Sequence, residues 1–241
     1  MRLADLPMLS GEKLAELRQS GVTTVAQLRA RLLKGALGGV RVPAHTRAYT
    51  LHPPQKLTLE AGLSAGAVVC RALRGRCEVV GSLRRAADHK RRSGSAPPGY
   101  RAKDLDVLTT QPLSAVAAAL ARNSAVDVLD VYSEGEAKWS AIIRVNKKPM
   151  ALDVFHATAA GWGAAHLHHT GPAQYNIRLR AHARARGYRL NQYGLTPLAG
   201  AAKLRKFRTE RALLHAIGAS WRTPSQRADK QPKRNWRGAY S

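Results

Sequence analysis

The middle of the chain carries four short apolar runs of strand length, at 104–109, 126–132, 139–145 and 151–155. A shorter one at 77–80 runs into Gly81-Ser82. Such runs bury a face only by pairing into a sheet. The flanks read as helices. A tight turn at Leu6-Pro7-Met8-Leu9 leads into a helix that Gly21 ends. A second spans 25–33 and is stopped by Gly35, Gly38 and Gly39. Further helical patterns lie at 63–73, at the Ala-rich 113–121, and at 174–186 before Gly187. The fold class implied is α+β: a small mixed sheet with helical subdomains on either side.

Between the phosphate-sized turn at Gly81 and the run at 104–109 lies a different composition. Residues 88–103 combine Lys90, Arg91, Arg92, Arg101 and Lys103 with Ser93-Gly94-Ser95-Ala96-Pro97-Pro98-Gly99. This composition reads as a mobile basic loop. The tail from Pro224 is also basic and reads as frayed.

The whole chain of 241 residues has 40 Lys and Arg against 15 Asp and Glu, a net charge of +25. A body so charged repels itself, and a polyanion relieves that repulsion. Nucleic acid is the leading partner. A membrane surface is weaker, because the basic residues are scattered rather than set on one amphipathic face. At 44% hydrophobic the chain has enough apolar mass for a core, which sets whole-chain disorder aside. No apolar run approaches the roughly 18 residues of a membrane helix. The first ten residues lack a signal peptide's apolar segment. Cys70 and Cys77 are too few for a disulfide scaffold or a four-thiolate zinc site. They read as reduced, partly buried thiols in an intracellular, reducing compartment, although spacing alone leaves a bridge between them open.

The chemistry-bearing residues fall in three places. Asp104 and Asp106 are two apart on a strand, so both carboxylates share a face while Leu105 and Val107 point into the core. Two like charges so placed call for a cation, and a hard divalent ion suits the oxygen donors. Alone, this pair also fits a solvated strand edge. Gly81-Ser82-Leu83-Arg84-Arg85 opens a helix after an apolar strand, where free N–H groups, the Ser82 hydroxyl and the Arg85 guanidinium suit phosphate. Alone, it also fits an ordinary helix cap. Asp153 sits in the apolar run Ala151-Leu152-Asp153-Val154-Phe155 and is costly there unless paired or metal-bound. If its strand lies beside 104–109, three carboxylates converge. Two metals about 3.5–4 Å apart then clamp the attacking and leaving oxygens of a phosphoryl transfer.

In this order the residues resemble the nucleotidyltransferase palm of the X-family DNA polymerases, the DNA polymerase beta-like group. The likeness continues through Leu167-His168-His169-Thr170-Gly171-Pro172, Tyr175-Asn176, Arg180, Leu190-Asn191-Gln192-Tyr193-Gly194-Leu195 and Trp221-Arg222-Thr223-Pro224. It covers roughly residues 50–227, and its phrasing is nearest to the family's small viral enzymes.

The resemblance implies a role for each matching residue. Asp104 and Asp106 would hold two Mg²⁺ ions, with Mn²⁺ as a substitute. Asp153 would bind the metal that activates the primer 3′-hydroxyl, and all three Asp would be catalytic. Gly81, Ser82 and Arg85 would hold the nucleotide phosphates. His168, Gly171 and Asn176 would contact the nucleotide, and Arg180 and Asn191 the template or DNA. The implied organisation is a degenerate helix-hairpin-helix over 1–60, a palm over 61–156 containing the loop 88–103, and a nucleotide-selection subdomain with a basic tail over 157–241. Met8 and Ser10 replace the family's hairpin glycines, and Ala151 and Phe155 stand where larger relatives carry Arg.

The expected protein is a monomeric DNA-directed DNA polymerase that takes dNTPs and a gapped or primer–template duplex. It would fill short gaps in base excision repair, in the nucleus, the cytoplasm or a viral factory. About 60 residues precede the palm and the hairpin accounts for them, so no lyase activity is expected. The competing readings are a template-independent nucleotidyltransferase on the same palm and a non-catalytic basic nucleic-acid-binding protein.

Overall fold

The computed structural model describes residues 2–200 and 203–228. Its centre is a five-stranded mixed sheet of β1 (Cys77–Val79), β2 (Asp104–Thr109), β3 (Val126–Glu134), β4 (Lys138–Val145) and β5 (Lys148–His156), in the order β1-β2-β5-β4-β3. The β2 and β5 strands pair in parallel and the other neighbours are antiparallel. The expected mixed α/β architecture is present.

Strand periodicity splits the sheet into two chemically different faces. Leu105, Val107, Trp139, Ala141, Ile143, Leu152 and Val154 point to one side. There they pack with Val68 and Val69 of α4 (Leu59–Ala72) and with Val116 and Leu120 of α6 (Val116–Ala121). Each fully buried Leu or Val there contributes roughly 1.5–3 kcal/mol relative to exposure. The alternate residues, Asp104, Asp106, Ser140 and Asp153, are turned to the other face.

The N-terminal segment has its own small core, Leu3, Leu6, Leu17, Val22 and Leu28. Its helices are α1 (Gly11–Gln19), capped by the Ser10 hydroxyl, and α2 (Val25–Lys34), opened by a Thr24–Gln27 capping box and closed by left-handed Gly35. Met8 adopts φ +59°, the left-handed region, and its side chain is exposed. A third helix, α3 (Ala44–Leu51), was not expected. It rests on the site face of the sheet through Ala48, Ile142 and Ala151. The C-terminal part packs α7 (Trp162–Thr170), α8 (Ala173–Ala185), the hairpin of β6 (Tyr188–Asn191) and β7 (Gly194–Pro197), and α9 (Glu210–Ala216) around Leu167, Tyr175, Leu179, Leu195 and Leu213.

Three expectations change. Residues 88–93 are not loop: α5 (Gly81–Ser93) continues through them. Its one strongly buried acid, Asp88, accepts hydrogen bonds from the Ser225 backbone and hydroxyl, which anchors that turn of helix. Only 94–103 connects α5 to β2. The cysteines are not separate thiols: Cys70 and Cys77 form a disulfide, because the reversal from α4 into β1 brings their Cα atoms to 5.3 Å. The tail does not fray at Pro224, since Ser225–Ala228 form a 3-10 turn whose Arg227 is buried against Glu210. The rest of the expected frayed tail lies outside the described residues. No helix among the described residues is long and apolar enough to cross a membrane.

Candidate active site

Register brings the carboxylates together. Asp106 lies directly beside Asp153 across the parallel β2–β5 pair, and Asp104 is two residues before Asp106 on the same face. The electrostatics report the crowding. Burial, then Asp104 and Asp153, push the Asp106 carboxyl up to about 7. Burial and Asp153 also raise Asp104. A cluster this short of positive charge, built of hard oxygen donors, fits a divalent cation.

Asp153 is held from β4. The buried Ser140 hydroxyl donates to its Oδ1 at 2.6 Å, and the Lys138 ammonium donates to Oδ2 at 3.1 Å. Among the described residues, no three His, Cys, Asp or Glu side chains close around one metal-sized point. Lys138 instead supplies the cation at the third carboxylate. Neither Lys138 nor Ser140 was picked out from the sequence. Both stand in the alternation Lys138-Trp139-Ser140, which puts them on one face once β4 is known to lie beside β5.

Gly81 opens α5 at φ +62° and touches the same cluster, where an added Cβ would overlap Asp106 Oδ2. Ser82 Oγ accepts from the Tyr100 hydroxyl at 3.0 Å. The Arg85 guanidinium donates to the Thr170 carbonyl, and burial lowers its pKa while leaving it within the fields of Asp106 and Asp104. Gly81 and Arg85 thus border the carboxylates on one flank, with Ser82 joined to Tyr100 beside them.

The second group of expected residues gathers in the C-terminal part. His168, Asn176, Arg180 and Asn191 line one small recess. The Asn176 amide donates to the His168 carbonyl at 2.7 Å, joining α8 to α7. Asn191 Oδ1 accepts from the Tyr193 and Gly194 amides, so it shapes the β6–β7 turn. Gly171 takes φ +60° and is followed by a cis bond to Pro172. The histidines are poor bases. Burial, with Arg180 adding, lowers His168. Burial, then His168, lowers His169 to about 3, and its ring stacks on Phe155 with centroids 3.9 Å apart.

A third group was not anticipated. Glu210 of α9 takes two hydrogen bonds from Arg84 on α5 and two from Arg227, all between 2.8 and 3.0 Å. It clamps the helix opened by Gly81 to the C-terminal part. Arg84 and Glu210 are 126 residues apart, and no local pattern links them.

Comparison with known proteins now bears on this geometry. Residues 165–228, from within α7 to the final 3-10 turn, match the DNA polymerase beta thumb family. Over 93 residues the chain is 41% identical to "Repair DNA polymerase X" of African swine fever virus isolate Pig/Kenya/KEN-50/1950, covering 39% of this chain and 53% of that protein. The same protein from isolate Tick/Malawi/Lil 20-1/1983 is 40% identical over 93 residues. The chain spans about half the length of the curated relatives it matches. Both findings support the resemblance to X-family polymerases of the small viral type that the motifs carry.

Proposed function

We infer that this protein is a DNA-directed DNA polymerase that adds deoxynucleotides to a primer 3′-hydroxyl opposite a template, filling short gaps in DNA repair. The observation that carries this reading is the register pairing of Asp106 with Asp153 beside Asp104, on the sheet face bordered by the Gly81–Arg85 turn. The name of the viral relatives and the thumb match supply the polymerase context.

Asp104, Asp106 and Asp153 would hold two Mg²⁺ ions, with Mn²⁺ able to replace them. Bound there, the metals lower the cost of ionising the 3′-hydroxyl and of the charge developing on the phosphoryl oxygens. Ser82, Arg85 and the first N–H groups of α5 orient the triphosphate. In this reading Asp153 would bind the metal that activates the primer 3′-hydroxyl and could receive its proton. His168, Gly171 and Asn176 contact the nucleotide, while Arg180 and Asn191 reach the DNA. Neutral imidazoles suit contact with a sugar or base better than proton transfer at pH 7. The hairpin over 1–60, the palm over 61–156 and the nucleotide-selection subdomain with its basic tail over 157–241 would then form the subdomains of a monomeric enzyme. The N-terminal helices α1, α2 and α3 are assigned no lyase step in this reading.

Extension across a one-nucleotide gap with each dNTP supplied singly tests the reading. Only the complementary nucleotide is expected to be added efficiently. Addition without regard to template favours a template-independent transferase instead. Borohydride trapping on a 5′-deoxyribose-phosphate substrate is expected to leave no adduct on the chain.

A further inference from the structure

The geometry points to Lys138 as the resident counter-cation of the carboxylate cluster: its ammonium holds Asp153 before a metal arrives and gives up that oxygen when a divalent cation binds. This rests on the reading of Asp104, Asp106 and Asp153 as metal ligands. Both oxygens of Asp153 are engaged from β4, and the two engagements differ. Ser140 is its cross-strand partner, fully buried, and its hydroxyl reaches Oδ1. That neutral bond orients the carboxylate and is compatible with a metal on the other oxygen. Lys138 is two residues earlier on the same face and occupies Oδ2, with its side chain 38% exposed against 19% for Asp153.

An isolated ion pair at a protein surface contributes little. This one faces three carboxylates, and the Lys138 charge is felt at Asp104 and Asp106 as well. Two other cations act on the cluster: Lys103 on Asp104, and Arg85, which is tied to the Thr170 carbonyl on the far flank, while the ion pair at Asp153 itself is made by Lys138. Lys138 is therefore the group that relieves the repulsion at Asp153. An ammonium and a divalent cation held at the same carboxylate repel each other, so each weakens the other's hold. Whatever Lys138 contributes to the metal-free state, a metal must overcome, and the coupling is reciprocal. The position matters in this chain because Ala151 and Phe155, on the strand of Asp153 itself, carry no charge.

Mn²⁺ binding to the full chain without DNA, followed by electron paramagnetic resonance, tests the assignment. Lys138→Met and Lys138→Gln are expected to bind Mn²⁺ about fivefold more tightly or better, the lower end of ordinary coupling between sites. Lys138→Arg keeps the cation and is expected to stay within about twofold of the parent, since the same coupling persists. Melting of the metal-free protein should fall in the Met and Gln variants and recover with Mn²⁺. A merely structural lysine would lower melting without tightening the metal. Asp106→Asn separates the two levels of the claim. If it abolishes Mn²⁺ binding while both neutral Lys138 variants bind like the parent or more weakly, the Lys138 assignment is wrong and the metal site stands. If Asp106→Asn binds Mn²⁺ as the parent does, the metal reading fails and the Lys138 assignment falls with it.

Discussion

At position 81 a side chain has no room. The backbone is left-handed, and a Cβ would collide with the Asp106 carboxylate. Gly81→Ala should therefore displace Asp106 or the turn that opens α5 while leaving the sheet intact. Displacements near 1 Å cost about 100-fold in rate, and gap-filling by Gly81→Ala should fall by at least that much with an unchanged far-UV spectrum. Ser140 offers a second residue-level check. Its hydroxyl satisfies Asp153 Oδ1 in a buried setting, so Ser140→Ala should cost about 1–3 kcal/mol in urea unfolding. The three Asp and the Gly81 turn were legible in the sequence because strand periodicity and turn chemistry are local. Lys138 and Ser140 were not, because their roles depend on which strands become neighbours.

At the scale of elements, β2 was legible to the residue, as an alternating run bounded by polar chain. The β5 strand was placed correctly in its centre and extends further at both ends. Lys90, Arg91 and Arg92 look like loop by composition, whereas a buried Asp88 and the cap at Gly94 carry helix α5 to Ser93. Helix α3 lies between Pro43 and Pro53-Pro54, which mask its local pattern, and its contacts to β3 and β4 are long-range. The Glu210 clamp is likewise tertiary. Burial works to raise the Glu210 carboxyl, and the hydrogen bonds from Arg84 and Arg227 outweigh it and hold the pKa at about 2. A carboxyl lowered in the fold stabilises it fully above its unfolded value, about 4.5, and loses that contribution as pH falls toward 2. Glu210→Gln should destabilise the protein by about 3–5 kcal/mol at pH 7, since it leaves buried Arg227 without its partner charge. Urea unfolding at pH 7 and pH 3 should show the gap between parent and variant narrowing at the lower pH.

For the whole molecule, the net charge of +25 is the least specific feature and the one with the broadest consequence. Only 15 acidic residues stand among 40 basic ones, yet three of them meet on one sheet face. In the proposed function, the basic surface would supply attraction to a duplex without regard to sequence, and the carboxylates would supply the reaction. If six to ten phosphates are contacted, affinity for gapped DNA should fall by about 10³-fold or more between 50 and 200 mM salt. A slope corresponding to one or two phosphates would mean that most of the charge faces away from DNA. The most direct test of the central claim is single-turnover incorporation of the matched nucleotide into a one-nucleotide gap, with Mg²⁺, by the parent and by Asp106→Asn and Asp153→Ala. The account predicts templated incorporation by the parent and a loss of at least about 10³-fold in both variants, as expected when charge stabilisation of the transition state is removed. Incorporation that persists at the parent rate in either variant would contradict it.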